Sequence, residues 1–200
     1  MYHEYIPPAH FIFFGVDATL SAELYRKVIR NMEEKVLHLA TVVFPVHGKE
    51  ILLARKTRKI GAGCWNGYGG GPNEGEGLLD AAVRELEEES GIRAFASDLT
   101  KIAVIDFHNT KTDGTTFVAR VHFYTVSSWK GEPQSTDEMT DPTWFPVGGL
   151  PLDEMMPADS VFLPVALSGK KIIGSAHYGP FQKELLGPVT FSEVDEFTEW

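Results

Sequence analysis

The sequence predicts an α/β domain, because strand-like and helix-like segments alternate along it. Residues 37–46 and 50–55 read as strands on either side of a turn at His47-Gly48, the pattern of a hairpin. A glycine-rich turn (Gly67, Gly69, Gly70, Gly71) then runs into a segment in which Leu79, Ala82, Val83 and Leu86 fall at i, i+3, i+4 and i+7, one apolar stripe of a helix. With 43% hydrophobic and 23% charged residues the composition is that of a globular protein, and 200 residues suit one domain with a sizeable core.

Residues 1–36 read as an N-terminal extension to a domain spanning 37–200. Within it, 10–16 is strand-like, and 21–34 is helical with Leu24, Val28 and Ile29 on one side. It is either a structural add-on or a lid or specificity element. Residues 1–8 have neither the basic start nor the apolar run of a signal peptide, and no apolar stretch approaches the roughly 18 residues of a spanning helix. Cys64 is the only cysteine, which excludes an intramolecular disulfide and points to a reducing, cytoplasmic setting. A net charge of -10 argues against a nucleic-acid surface, yet permits a small polyphosphate, because bound divalent ions invert the local sign. No membrane partner is expected.

After the hairpin, Lys56-Thr57-Arg58-Lys59 is a short basic cluster just before the glycine turn, and Lys56 is a candidate phosphate contact. Asn66-Gly67 is a strong turn dipeptide; alternatively the Asn66 amide, donor and acceptor at once, reads a base edge. In the helix, Gly91 follows Ser90 where a left-handed cap would end it. Glu85, Glu88 and Glu89 share a face beside the apolar stripe, while Asp80 and Glu87 point to solvent. Three carboxylates within one turn repel, by a few tenths of a kcal/mol per pair. They are either a solvated acidic face or a site for a cation such as magnesium, which takes oxygen ligands together with substrate phosphates. Further on, 101–108 and 116–126 alternate as two strands joined through Asp113-Gly114, with Ile105, Phe107, Ala119 and Val121 on faces set by the register. A helix follows, ending near Leu167, and then closing strands over 170–178, Phe181 and 189–197.

Gly70, Glu76, Arg84, Glu85, Leu86, Glu88, Glu89, Gly91 and Ile92 fit G-x5-E-x7-R-E-U-x-E-E-x-G-U, with U aliphatic, at all nine specified positions of a 23-residue span. The chain therefore resembles a Nudix hydrolase over roughly residues 37–197. The resemblance implies an α/β/α sandwich with a mixed sheet, the box helix on one face and another helix opposite. It implies Mg²⁺, with Mn²⁺ as the alternative, held by Glu85, Glu88, Glu89 and the Gly69 carbonyl, and hydrolysis of a small nucleotide by water. Glu138 is implied as an additional ligand or the base, Glu88 being the other candidate base, and Glu76 with Arg84 as a structural ion pair.

The run GAG-x-WNG-x-GG over 61–70 narrows the resemblance to the MutT-homologue group that hydrolyses oxidised purine nucleoside triphosphates such as 8-oxo-dGTP. In that group the Asn corresponding to Asn66 contacts the base, and the sheet carrying Phe107 floors its pocket. Where the group has Trp-Pro-Asp-Asp-Ser, this chain has Met156, Pro157, Ala158, Asp159 and Ser160, and Ile60 stands where an aromatic is expected. Methionine can contact a ring, but one acid cannot make the hydrogen bonds of two, so the base preferred stays open. The alternatives are hydrolysis of ADP-ribose or a nucleotide sugar, and a nucleotide-binding regulator without turnover.

Overall fold

The structure, a computed structural model, describes residues 36–198. The expected strand at 10–16 and helix at 21–34 lie outside them. In chain order the elements are β1 (Val36–His47), β2 (Glu50–Lys56), β3 (Trp65–Asn66), α1 (Leu78–Ser90), β4 (Leu99–Thr110), β5 (Thr116–Val126), β6 (Met139–Pro146), α2 (Asp159–Leu167), β7 (Lys171–Tyr178) and β8 (Thr190–Val194).

The sheet runs β3-β2-β1-β5-β4-β7-β8, with β6 also paired to β2. It is mixed: β1 pairs with β5, and β4 with β7, in parallel, while the other pairs are antiparallel. The β4–β5 hairpin closes where Asp113 Oδ1 accepts the Thr115 N–H at 2.9 Å and Lys111 N–H donates to Thr115 O at 2.7 Å. Strand alternation then sorts the core into two layers. Phe44, Ile51, Leu53 and Phe123 meet Phe162, Leu163 and Ala166 of α2. Their chain neighbours Val43, Leu52, Ala54 and Tyr124 meet Ala82 and Leu86 of α1. The two helices therefore cover opposite faces, which is the expected sandwich.

Register settles the β4–β5 faces. Ile105 lies opposite Val121 and Phe107 opposite Ala119, so all four share the α2 face. α1 ends as expected, with Gly91 at φ 75° and its N–H on Glu87 O. Two expectations are corrected. Leu79 is 42% exposed, because it sits in the first turn, ahead of Ala82, the first helix residue in the core layer. Phe181 belongs to a 3₁₀ turn (Pro180–Gln182) rather than to a strand. Pro180 has no N–H to continue the β7 ladder, and the chain turns there with Phe181 70% exposed. The last strand is also shorter than expected, Thr190–Val194.

Candidate active site

The segment between β3 and α1 is drawn tightly against β1. Tyr68 exchanges both backbone hydrogen bonds with Val43, and Thr41 N–H donates to Gly70 O at 2.8 Å. In such pairing the intervening residue turns its N–H and C=O the other way. Gly69 does so, and its N–H donates to Glu89 Oε2 at 2.7 Å. On this shelf a Cβ at Gly69 would lie 1.9 Å from Thr41 O, against backbone, so no side chain fits there; one at Gly70 would lie 2.7 Å from the Glu85 carboxyl carbon and would displace that carboxylate.

Glu89 is 5% exposed, and burial pushes its carboxyl up to about 7 despite the Gly69 hydrogen bond and nearby Lys56; Glu85 and Glu138 add to the rise. Arg84 gathers the remaining acids. Its guanidinium forks onto Glu76 at 2.8 and 2.9 Å and reaches Glu85 at 2.8 Å and Glu88 at 3.1 Å. Glu76 also accepts the Asn73 N–H at 2.7 Å, and Arg84 with Asn73 holds its carboxyl well below the usual range, so the pair pins the loop to the helix. Glu138 pairs with Arg58 and, at 3.5 Å, with Lys59, and Arg58 lowers its carboxyl.

Among the described residues no three carboxylates converge on one point as arranged, since Arg84 holds Glu85 and Glu88 while the basic cluster holds Glu138. The donor set is nevertheless of the right chemistry for a hard divalent ion: carboxylate oxygens and a backbone carbonyl gathered about one helix.

Beside the shelf lies a cavity of about 300 Å³. Gly69 and Gly70 form one wall with Lys56 and Lys59, and Phe107, Ala119, Val121 and Phe123 form an apolar floor. Asn66, Ile60, Met156 and Asp159 complete it, so six residues singled out from sequence (Lys56, Ile60, Asn66, Phe107, Met156 and Asp159) line one space. Asn66 Oδ1 accepts the Gly67 N–H at 2.8 Å, which serves the turn and leaves the amide NH₂ as a donor. Asp159 opens α2 and is 5% exposed; burial pushes its carboxyl up to about 7. Sequence reasoning missed Tyr178, whose hydroxyl accepts the Ala158 N–H at 2.8 Å and so fixes the start of α2, and Gln182 at the rim. Their only signal was position, Tyr178 at the end of a strand and Gln182 in the turn that follows it.

A profile of the NUDIX domain matches residues 36–165, more than half of the chain. The chain belongs to the Nudix family. This Nudix hydrolase is 35% identical over 159 residues to the mouse (Mus musculus) oxidized purine nucleoside triphosphate hydrolase, covering 80% of this chain and 97% of that one. It is 38% identical over 136 residues to the Danio rerio protein of the same name, covering 68% and 83%. Among solved structures it is similar to a MutT protein from Bacillus halodurans (TM-score 0.62, 24% identity, 80% and 99% of the two chains). It is also similar to a MutT NUDIX hydrolase from Burkholderia pseudomallei (TM-score 0.55, 28% identity, 66% and 95%). Nudix hydrolases act on nucleotides and generally need a divalent metal, and the acids of this chain's box helix lie beside its cavity. No helix among the described residues is long and apolar enough to cross a membrane.

Proposed function

We propose that this Nudix hydrolase converts nucleoside triphosphates to the monophosphate and pyrophosphate, with oxidised purine deoxynucleotides such as 8-oxo-dGTP as preferred substrates. The observation that carries this is adjacency: the cavity holding Asn66 and Asp159 opens onto the Gly69–Gly70 shelf, behind which Glu85 and Glu89 are packed. A base in the cavity thereby delivers its phosphates to the carboxylates. The names of the mouse and Danio rerio relatives support the oxidised-purine reading. With Met156, Ala158 and Ile60 in the pocket, polar reading of the base falls to Asn66 and Asp159.

Glu85, Glu88, Glu89 and the Gly69 carbonyl would hold Mg²⁺ or Mn²⁺, with Glu138 as a further ligand, the carboxylates of Glu85 and Glu88 exchanging Arg84 for the ion. Bound there, the ion neutralises charge on the polyphosphate and lowers the pKa of water. Lys56 and Lys59 line the wall beside the shelf and orient the phosphates. A carboxylate takes a proton from water as its oxygen attacks an internal phosphorus, and the P–O bond to the leaving pyrophosphate breaks. Glu88 and Glu138 are the candidate bases, the second paired with Arg58 and Lys59, which hold it ionised. A near-neutral Asp159 offers the base one donor and one acceptor. The single cysteine fits a cytoplasmic setting, and the net charge of -10 fits a small nucleotide rather than a nucleic acid.

The test is turnover with Mg²⁺ of 8-oxo-dGTP, 2-oxo-dATP, dGTP, dATP, ADP-ribose and a nucleotide sugar, with products resolved. Preference for an oxidised purine, released as monophosphate and pyrophosphate, is expected, and Glu89→Gln should lower kcat by more than about 100-fold with folding retained. Preference for ADP-ribose would overturn the substrate, and unchanged turnover in Glu89→Gln would overturn the metal-helix mechanism.

A further inference from the structure

Gln182 lies at the rim of the nucleotide cavity and belongs to none of the roles above. It is half-buried, and lines both this cavity and an adjoining one of about 260 Å³ that shares Ile60 with it. Its backbone is held in an unfavourable shape. Phe181 and Gln182 have φ of 60° and 55°, the left-handed region that non-glycine residues rarely adopt. The turn is closed by Gln182 N–H on Gly179 O at 3.1 Å and Gly179 N–H on Glu184 O at 3.0 Å. Strain of this kind, locked by its surroundings, is common where a side chain must be aimed.

The amide of Gln182 also has a fixed orientation. Buried Asn109 donates from Nδ2 to the Phe107 carbonyl at 2.8 Å, and a carbonyl can only accept, so Asn109 Oδ1 faces the other way. That oxygen accepts from Gln182 Nε2. The relay leaves Gln182 Oε1, an acceptor, on the far side of its amide. The half-buried Asn66 and the buried Asp159 suit the six-membered-ring edge of a purine. The five-membered ring then lies toward the rim, where the glycosidic bond leads to Lys56 and the shelf.

Oxidation at C8 of a purine changes that ring in two hydrogen-bonding respects: N7, an acceptor in the ordinary base, becomes an N–H donor, and C8 exchanges its hydrogen for a carbonyl oxygen, a new acceptor. The first reverses the polarity of an existing site. We propose that Gln182 is a specificity-determining residue of this pocket, its Oε1 accepting a hydrogen bond from the N7–H of an 8-oxopurine and opposing the N7 lone pair of an unoxidised one. Asn109 is a positioning residue that holds the amide in that sense. This rests on the oxidised-purine reading above.

The experiment compares kcat/KM for 8-oxo-dGTP, dGTP, 2-oxo-dATP and dATP in wild type, Gln182→Met, Gln182→Ala and Asn109→Leu, with thermal unfolding as the control for folding. In both Gln182 variants the preference for 8-oxo-dGTP over dGTP should fall about tenfold, the worth of one hydrogen bond, chiefly through KM. The preference for 2-oxo-dATP over dATP, both of which have a bare N7, should hold. Asn109→Leu, which frees the amide to flip, should lower the first ratio by less. A ratio of 8-oxo-dGTP to dGTP unchanged within about twofold in folded Gln182 variants, or an equal fall in both ratios, overturns the role of Gln182 while leaving the oxidised-purine reading intact. A wild type that turns over no oxidised purine overturns both.

Discussion

Gly69 joins the chemistry to the sheet at the scale of one residue. Its N–H holds Glu89, and its Cα faces the Thr41 carbonyl so closely that a Cβ would sit 1.9 Å from the oxygen, against backbone that cannot give way. Gly69→Ala should therefore cost about 2–3 kcal/mol, the range of a forced overpacking. Gly71→Ala, whose Cβ would meet only Leu39 O at 3.3 Å, should cost less than about 1 kcal/mol. Urea denaturation of the two variants against wild type checks this, and equal losses would sink the argument. At this scale the sequence was legible where local geometry fixes a residue type: Gly91 takes the left-handed cap of α1 at φ 75°. Burial was not legible. A glutamate is exposed far more often than buried, and nothing in the string Glu87-Glu88-Glu89 distinguishes the last, sealed under Gly69, from its exposed neighbours.

Arg84 decides whether α1 and the loop before it behave as one element. Its guanidinium engages Glu76 through two nitrogens while touching Glu85, Glu88 and the Gly71 carbonyl, so loop and helix share one rigid fork. An ammonium cannot reproduce that geometry. Arg84→Lys should lower kcat/KM about tenfold or more, as loss of an orienting partner does, with a shift in Tm of only a few degrees; full activity would show the fork to be dispensable. Element limits were legible where local chemistry sets them: Gly91 stops the helix, and Asp113-Gly114 turns the β4–β5 hairpin. They were misread where tertiary contacts decide. Leu79 fits the helical stripe by period but lies ahead of the part of α1 that meets the sheet, and Phe181 reads as strand by residue type though Pro180 has already ended the ladder.

At the scale of the whole molecule, the layer order came from family resemblance, since alternating strands and helices permit several sheets, and periodicity carries no information on which strands pair. One consequence of the order actually adopted had no signal in the sequence. β5 lies between β1 and β4, which puts His122 opposite Thr41 on one side and Val104 on the other, fully buried. Neither ring nitrogen has a hydrogen-bond partner among the described residues. Burial, with Lys101 and Arg120 adding to it against a smaller opposing effect of Asp106, pushes the imidazole down to about 4. Because this folded value lies below the unfolded value of about 6.5, the unfolded chain binds a proton in that interval that the folded chain refuses. Stability from this group is therefore complete above about pH 6.5 and is lost as pH falls toward 4, by about 3 kcal/mol. Glu89 and Asp159, both raised to about 7, act with the opposite sign, since their folded forms hold protons that the unfolded chain has released, so the overall pH curve conceals the histidine. A difference measurement recovers it. His122→Leu removes the titration and the two unpaired nitrogens at similar volume, so it should be neutral or mildly stabilising at pH 7. Its advantage over wild type should widen by about 3 kcal/mol at pH 4, read from urea midpoints at pH 7, 5.5 and 4. Other titrating groups are common to both proteins and cancel. An advantage that does not change with pH would mean that the imidazole finds a proton partner or water inside the fold.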